Sequence, residues 1–595
     1  LSAGGEYFGQ VTPPDGQVLR YITGSEPESL DPHVGTGQPE ARIYMALFEG
    51  LVGYHPQTLE PIPGVAERWD VNADSTEFVF HLRRNARWSN GDPVTAHDFV
   101  YSLRRALAPA NAFQNAYMTY EIEYAQAFNE GAVFVRDPAS GRWLTTGDLT
   151  DPPATSPSGL RVVLPGSVEA RDAALADNPR LRELTAGKEF VPVRAEDIGV
   201  DAPDDYTVRI RLVQPAPYFV GMAAHQIFMP VHRETVETWG ESWTQPEHIV
   251  SNGPFRLEEW KPYNVLVAVR DPMYWDAATV KLDRLTFYPT DEQTTMMNLY
   301  KAGEVDATYN HTVPVSWLDV IRPMRDYMDA PENAIDYYIF NTTRPPMDDV
   351  RVRKAFNAAI DKNALAEYRR VTKPLTAFTP EGIYPTYPQP KGDPFDPARA
   401  RQLLVEAGYG DAAGNFDPSG FPVQEVELLY NTSDSNRQVA EFVQAQWRQN
   451  LGLTVPLRNM EWRTYLDTRH RLDYRGFARA GWVGDYMDPY TFLSLFAAVQ
   501  GNNDSGWFDP KYVDMLNRAN RELDPARRYE LLAEAEAFLL EVQPIIPLLT
   551  NATNWLKKPY VKGMYPNPGT LHPWKFVYIE HDPDKWDLGM PALTD

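Results

Sequence analysis

Patterns typical of β-strands and α-helices alternate along the whole of this 595-residue chain. Residues 77–82 and 206–213 alternate apolar and polar side chains, as half-buried strands do. Apolar residues three or four positions apart predict helices over residues 349–361 and 436–451. No internal repeat is evident, and such an alternation favours α/β lobes over a β-sandwich or a helical bundle.

The clearest helix pattern begins at Asp524, which is followed by a proline and ends an irregular stretch. A capping residue followed by proline is common at a helix start, and Pro544 is predicted to end this helix. The residues at helical spacing that are predicted to face the core are Tyr529, Leu532, Ala535, Phe538 and Val542.

Length and charge restrict the class of protein further. A chain of 595 residues is too long for one core and predicts roughly three or four domains. The net charge of −25 argues against nucleic acid or an anionic membrane as the partner, because both need a basic surface. The absence of cysteine excludes disulfides and thiolate metal sites. No run of 18 apolar residues predicts a membrane span.

Residues 478–495 read A-R-A-G-W-V-G-D-Y-M-D-P-Y-T-F-L-S-L and pass from an extended run to a helix predicted to open at Pro489. Arg479, Trp482 and Asp485 therefore fall at a strand-to-loop transition, where binding groups are often held on rigid support. A buried strand followed by a turn-forming aspartate would give the same pattern.

Aromatic and cationic residues gather around this stretch, among them Trp462, Trp482, Arg469, His470 and Arg479. Apolar walls with a few placed charges are typical of a concave ligand site. The alternative is that the aromatic side chains fill the core while the cations lie in solvent.

Catalytic signatures are missing from the sequence. Neither nucleotide-binding fingerprint occurs, nor a nucleophile elbow, and the 11 histidines include no i, i+4 pair. Asp485 and Asp488 are three residues apart in one loop, whereas the carboxylates of a glycosidase usually come from separate elements. The chain is therefore predicted to be no enzyme and to hold no metal or cofactor. A hydrolase that uses these two aspartates remains the competing hypothesis from a different class.

Several ordered motifs resemble the periplasmic oligopeptide-binding proteins of bacterial ABC importers, which form extracellular solute-binding protein family 5. The resemblance covers the chain except for residues 129–200, which look like an insertion. The matching stretches are G-S-E-P-E-S-L-D-P-H (24–33), W-S-N-G-D-P-V-T-A-H-D-F-V-Y-S (88–102), W-T-Q-P-E-H-I-V-S-N-G-P-F (243–255), R-P-P-M-D-D-V-R-V-R-K-A (344–355), L-L-Y-N-T-S-D (428–434), E-W-R-T-Y-L-D-T-R-H (461–470) and A-R-A-G-W-V-G-D-Y-M-D-P (478–489).

The resemblance implies an α/β, two-lobed periplasmic-binding-protein fold with a hinge and an additional third domain. Lobe I would comprise residues 1–48, 233–333 and 564–595. The extra domain would be residues 49–232, including the 129–200 insertion, and the opposite lobe would be residues 334–563.

The resemblance also implies how a peptide would be held. Asp485 matches the acceptor for the ligand ammonium, and residues 36–38 and 480–483 match strands that pair with the ligand main chain. Arg469, His470 and Arg479 match cations near the ligand carboxylate. Thr36 stands where relatives have Glu and Asn436 where they have His, so Arg479 is expected to be free for a ligand or for Asp488. The implied site residues are Thr36, Gly37, Gln38, Asn436, Trp462, Arg469, His470, Arg479, Gly481, Trp482, Val483 and Asp485.

The implied function is capture of oligopeptides between two closing lobes and delivery to the membrane permease subunits of an ABC importer. The implied protein is a monomer in the periplasm or outside the cell, and residues 1–17 would be a tether behind a removed signal, with a lipid anchor as one arrangement. Within the same fold, an oligosaccharide or a metal chelate is the alternative ligand. A sensor or chaperone-like role for the same pocket is a further alternative.

Overall fold

The computed structural model of the chain describes residues 6–35, 37–111, 113–149, 159–290, 292–460, 462–498 and 502–587. The chain divides into two compact units: unit 1 is Leu1–Met328 with Trp555–Asp595, and unit 2 is Asp329–Asn554. Both units mix strands and helices, which confirms the predicted α/β class. The predicted three-part division at residues 48, 232, 333 and 563 remains a prediction.

The N-terminal part of unit 1 contains two four-stranded sheets and a small sheet in the 129–200 insertion. Its strands are β1 (Val18–Gly24), β2 (Val52–Tyr54), β3 (Pro61–Pro63), β4 (Ala66–Val71), β5 (Glu77–Leu82), β6 (Val133–Arg136), β7 (Val163–Leu164), β8 (Glu189–Pro192), β9 (Val200–Asp204), β10 (Thr207–Arg211), β11 (Phe255–Lys261), β12 (Val265–Arg270), β13 (Arg284–Pro289) and β14 (Tyr327–Met328). Its α-helices are α1 (Gln38–Leu47), α2 (Ala96–Leu107), α3 (Ala125–Asn129), α4 (Val168–Asp177), α5 (Pro179–Thr185), α6 (Phe219–Met222), α7 (Arg233–Trp239), α8 (Gln293–Ala302) and α9 (Leu318–Ile321).

Unit 2 is built on one six-stranded sheet with helices around it. Its strands are β15 (Pro331–Phe340), β16 (Thr372–Pro374), β17 (Glu427–Asn431), β18 (Leu457–Met460), β19 (Gly476–Val483) and β20 (Ile545–Ala552). Its α-helices are α10 (Val350–Ala358), α11 (Lys362–Arg369), α12 (Pro397–Leu404), α13 (Asp434–Leu451), α14 (Trp462–His470), α15 (Tyr490–Leu493), α16 (Pro510–Arg521) and α17 (Pro525–Val542). The chain then adds β21 (Trp555–Leu556), β22 (Val561–Lys562) and β23 (Tyr578–Ile579) to unit 1.

The first sheet of unit 1 has the order β1-β13-β12-β11, with β1 parallel to β13 and the remaining pairs antiparallel. Its core is aromatic. Tyr21, Phe287 and Trp574 pack edge to face with ring centroids 5.0 to 6.1 Å apart, an arrangement that aligns the positive ring edge with the negative face. The C-terminal segment that carries Trp574 is therefore part of this core.

The sheet of unit 2 has the order β16-β20-β15-β19-β17-β18. β17 is parallel to both of its neighbours, and the other pairs are antiparallel. Phe356 of α10, Trp447 of α13 and Phe477 of β19 join helices to the sheet with centroids 4.6 to 5.2 Å apart. The indole N–H of Trp447 donates to the Phe356 carbonyl at 3.0 Å, so this buried polar group is satisfied.

The strands predicted over residues 77–82 and 206–213 are confirmed as β5 and β10, and the helices over 349–361 and 436–451 as α10 and α13. The helix after Asp524 is confirmed as α17, whose N-cap carboxylate accepts from the Arg527 N–H at 2.7 Å. Its predicted inward face is partly wrong. Leu532 and Ala535 are buried, but Tyr529, Phe538 and Val542 are only half-buried, while Leu539 and the acidic Glu536 are fully buried.

Arg161 holds the 129–200 insertion together, and its backbone N–H donates to the Tyr124 hydroxyl outside the insertion at 2.9 Å. Its guanidinium lies 4.6 Å from the ring centroid of Phe134 and 4.9 Å from that of Trp143, and Nη1 donates to Asp197 at 2.8 Å. This cation, held between aromatic faces and a carboxylate, links β6 of the small sheet β7-β6-β8 to the loops of the same insertion. None of the helices in the part of the chain described above is long and apolar enough to cross a membrane.

Candidate ligand-binding site

β19 carries four of the nine predicted ligand-binding residues of unit 2, namely Arg479, Gly481, Trp482 and Val483. It pairs with β15 along its whole length, from Phe477 opposite Phe340 to Val483 opposite Ala334. On its other side β17 pairs only with residues 476–478. The two parallel strands then separate, and no other described strand takes the place of β17. The second half of β19 is therefore an open sheet edge.

The open edge presents the backbone of two residues. The N–H of Gly484 donates to the Asn333 carbonyl at 2.7 Å, which fixes the alternation of hydrogen bonds along the β15–β19 ladder. Because that alternation has a period of two, the N–H and C=O groups of Gly481 and Val483 point away from β15. The Val483 side chain is 57% exposed. These two residues offer donors and acceptors to an added strand.

Arg469 and His470 end α14 and share one buried carboxylate. Arg469 Nε donates to Asp504 Oδ2 at 2.6 Å, and His470 Nδ1 lies 2.7 Å from Asp504 Oδ1. The Asp504 side chain is 2% exposed. Burial opposes the charge of Arg469, but the neighbouring Tyr465 and Asp504 outweigh burial and raise the pKa of the guanidinium. Tyr465 also donates its hydroxyl to the Arg479 carbonyl, where β17 and β19 separate.

Arg479 is paired inside unit 2, so the expectation that it is free or paired with Asp488 is wrong. Its Nη2 donates to Asp336 Oδ1 at 2.6 Å. Asp336 lies opposite Gly481 in the ladder, and Arg479 is two residues before Gly481, so all three share one face of the sheet. A Cβ on Gly481 would lie 3.0 Å from Asp336 Oδ1 and 3.1 Å from Arg479 Nη2, so the glycine leaves room for the ion pair.

Asp485 lies in the loop that follows β19, and this loop is fixed by several bonds. Its own N–H donates to the Thr491 hydroxyl at 3.1 Å. The next residue, Tyr486, accepts through its carbonyl from Asn333 Nδ2 at 3.4 Å. A Cβ at Gly484 would lie 2.2 Å from the same amide nitrogen, so this position requires glycine. The Asp485 side chain is half-buried.

Asp488 is bound within the fold of unit 2 and holds the loop of Asp485 in place. Its carboxylate accepts from Arg528 Nη1 at 2.5 Å and Nη2 at 2.9 Å, and from the Tyr490 N–H at 2.9 Å. Both members of the Asp488–Arg528 pair are buried. This bidentate pair joins the loop of Asp485 to α17 and leaves Asp488 unsuited to act as one of two catalytic carboxylates.

The predicted contacts of unit 1 differ from expectation. Gly37 is the N-cap of α1, and Gln38 is the first residue of that helix, so the expected strand over residues 36–38 is wrong at Gln38. Gln38 Oε1 accepts from Arg42 at 2.9 Å and from Asn310 at 3.2 Å. Proline at position 39 explains the helix start, because its fixed φ suits the first turn. Thr36 lies outside the described residues.

The remaining predicted residues lie on unit 2. Asn436 Nδ2 donates to the carbonyl and to the side-chain oxygen of Asn431 at 3.1 and 2.9 Å, so it ties α13 to the end of β17. Trp482 is half-buried, and its indole N–H is buried without a hydrogen-bond partner among the described residues. Trp462 begins α14, and its side chain is outside the described ones. Groups of three or more His, Asp or Glu side chains that could hold a metal do not occur in the described ranges.

The α/β fold and the strand with an open edge beside a carboxylate are features of a protein that binds a solute. The family model "Bacterial extracellular solute-binding proteins, family 5 Middle" matches residues 60–504. This chain belongs to that family, as the sequence motifs predicted.

Individual relatives agree with this membership. The periplasmic oligopeptide-binding protein OppA of Salmonella typhimurium is 33% identical over 564 residues, which cover 92% of this chain and 90% of the relative. The unliganded open form of MppA, a periplasmic murein tripeptide-binding protein, superposes with a TM-score of 0.73 at 32% identity and covers 96% of this chain and 98% of MppA. Haemophilus influenzae OppA in complex with the peptide RPPGFSPFR gives a TM-score of 0.68 at 27% identity, with 96% and 100% covered.

Proposed function

We propose that this chain is the extracytoplasmic binding component of an ABC importer and that its solute is an oligopeptide. The observation that carries the proposal is the open edge of β19, which ends two residues before Asp485. A free peptide has a main chain and a terminal ammonium, and the edge and the carboxylate are suited to these two groups. The relatives named above are peptide-binding proteins, which supports the same solute class.

Main-chain pairing would supply affinity without selecting side chains. An extended peptide that adds to β19 meets the N–H and C=O groups of Gly481 and Val483, which gives up to four hydrogen bonds. At a net 0.5–1.5 kcal/mol each, these bonds would contribute about 2–6 kcal/mol. Such pairing tolerates many sequences, because every peptide carries the same backbone.

The carboxylate of Asp485 would pair with the ligand ammonium. A charge pair that is shielded from water is strong when complete, and truncating one partner of such a pair costs about 2–5 kcal/mol. An oligosaccharide carries no ammonium, so Asp485 argues against the alternative of a sugar ligand. The buried pairing of Asp488 with Arg528 likewise argues against the hydrolase hypothesis.

The cellular setting follows from the relatives. Two of them are named as periplasmic proteins, and we infer the same compartment or the cell exterior for this chain. The same proposal includes delivery to membrane permease subunits, a monomeric state, closure of two lobes on the ligand and a lipid anchor.

A thermal-shift comparison tests the proposal. The protein is denatured and refolded to remove co-purified ligand, and is then mixed with a pool of tri- to pentapeptides or with the same pool after N-acetylation. At 100 times Kd the free pool should add about 2.7 kcal/mol of stability, and the acetylated pool much less. No shift with either pool would refute peptide binding, and equal shifts would refute the ammonium contact alone.

A variant pair tests the role of Asp485. Asp485→Asn should weaken binding of the free pool by about 30-fold or more, since the charge pair is lost. Asp473→Asn is the matched control, because its side chain is 73% exposed and lies on the same unit. Equal affinity of the two variants would contradict the assignment.

A further inference from the structure

Each cation that the sequence places near the ligand carboxylate already has a carboxylate partner within unit 2. We infer that these cations do not read the carboxyl end of the peptide, so that the ligands are peptides recognised through their main chain and amino end, with C-terminal amides accepted as well as acids. This inference rests on the proposed function and narrows its substrate class.

The first step concerns the end of α14. Arg469 Nε donates to the Asp504 carboxylate. Its Nη1 donates to the Tyr465 hydroxyl and to the Arg479 carbonyl, each at 3.4 Å. Its side chain is only 14% exposed. His470 shares the same carboxylate at 2.7 Å. Nε and Nη1 of Arg469 therefore already donate within the fold, and a ligand carboxylate placed here would also meet the negative charge of Asp504.

The second step concerns the middle of β19. Arg479 and Asp336 form a pair whose side chains are 28% and 31% exposed, so this pair is more accessible than the pair of Arg469 and Asp504. At 2.6 Å the field of the guanidinium is largely cancelled by its partner. A ligand carboxylate near Arg479 would be repelled by Asp336 at almost the same distance. Asp336 is therefore the group that neutralises Arg479 within unit 2.

The third step is the charge balance. With His470 counted as neutral, the charges of Arg469, Arg479, Asp504 and Asp336 sum to zero. Asn436 adds an uncharged amide that is bonded to Asn431. Removing a carboxylate from water without a free cation is unfavourable. A peptide acid therefore gains nothing over its amide from these groups.

The test compares two pools of tri- to pentapeptides that differ only in a free or an amidated C-terminus, by calorimetric titration of the refolded protein. Kd values for the two pools within threefold of each other are expected. An amide pool that binds more than threefold more weakly than the acid pool overturns the inference. Failure of both pools to bind would instead refute the proposed function, so the two failures are distinct.

A gain-of-discrimination variant makes the test sharper. Asp336→Asn keeps the size of the side chain but frees Arg479, and it should create a preference for the acid pool of at least fivefold. Asp473→Asn, the exposed control, should leave the ratio of the two Kd values unchanged. A ratio near one for Asp336→Asn would overturn the assignment of Asp336 as the neutralising group.

Discussion

Glu536 of α17 provides the sharpest test of how unit 2 is held together. Its carboxylate is fully buried, and it accepts from the N–H groups of Phe378 and Thr379 at 2.6 and 2.7 Å and from the Tyr387 hydroxyl at 2.6 Å. No lysine, arginine or histidine pairs with it in the described part of the chain. Burial raises the pKa of Glu536, although these hydrogen bonds lower it in part. The carboxylate thus acts as an acceptor for a turn of the backbone.

Two neutral substitutions distinguish the role of Glu536 as a hydrogen-bond acceptor from the effect of its charge. Glu536→Gln keeps an oxygen for both backbone N–H groups, and the hydroxyls of Thr379 and Tyr387 can rotate to accept from its amide. Glu536→Leu leaves the two N–H groups buried and unsatisfied, at about 1–3 kcal/mol each. We therefore expect the Leu variant to be less stable than the Gln variant by about 2–6 kcal/mol.

Hydrogen exchange measured by mass spectrometry over residues 375–389 reports this difference locally, without the assumption that the two units unfold together. A difference of 2 kcal/mol or more corresponds to exchange about 30-fold faster or more in the Leu variant. Glu534→Leu, at an exposed position of the same helix, should leave exchange unchanged. Exchange within threefold of the Gln variant would refute the reasoning.

The charge of Glu536 makes the free energy of unfolding depend on pH in a predictable direction. Because the pKa of Glu536 is raised in the folded state, folding favours the protonated carboxyl, and the charged form reduces stability at pH values above the folded pKa. This loss disappears as the pH falls towards 4.5, the ordinary value. The free energy of unfolding of Glu536→Gln should therefore exceed that of the natural chain at pH 7, and this difference should vanish near pH 4.5. A difference in the free energy of unfolding that does not change with pH would contradict the view that burial of the charged Glu536 reduces stability.

Two further substitutions test other buried titratable side chains. Asp488→Asn removes one partner of the buried pair with Arg528 and should lower the free energy of unfolding by about 3–5 kcal/mol in urea denaturation, whereas Asp467→Asn, in an exposed pair, should change it by less than about 1 kcal/mol. Burial lowers the pKa of His572 to about 3, so protonation favours the unfolded chain and stability should fall by about 1.4 kcal/mol per pH unit below 6.5. His572→Gln should remove this slope, and His97→Gln, with a 63% exposed side chain, should not.

Local interactions explain why much of the fold could be predicted. The alternation over residues 77–82 reports which face of β5 is buried, and Asp524 accepts a hydrogen bond from a residue only three positions later. Such signals need no knowledge of distant contacts. The inward face of α17 was harder to predict, because hydrophobic spacing alone could not place a buried carboxylate such as Glu536.

The candidate site was predictable in part. The strand β19 and the loop position of Asp485 follow from the sequence pattern, and family membership follows from the motifs. Gln38 was expected in a strand by resemblance, although Pro39 already indicated a helix start. Here a local signal was more informative than the family pattern.

The ion pairs of the site could not be predicted, because their partners come from distant parts of the chain. Asp336 and Arg479 are 143 positions apart and meet only because β15 and β19 pair in one register. A shift of that register by one residue would move Asp336 to the other side of the sheet and leave Arg479 unpaired. Asp504 reaches Arg469 from a loop without a periodic pattern. The motif therefore predicts which charges a ligand would meet, whereas strand register decides which of these charges are already paired within unit 2.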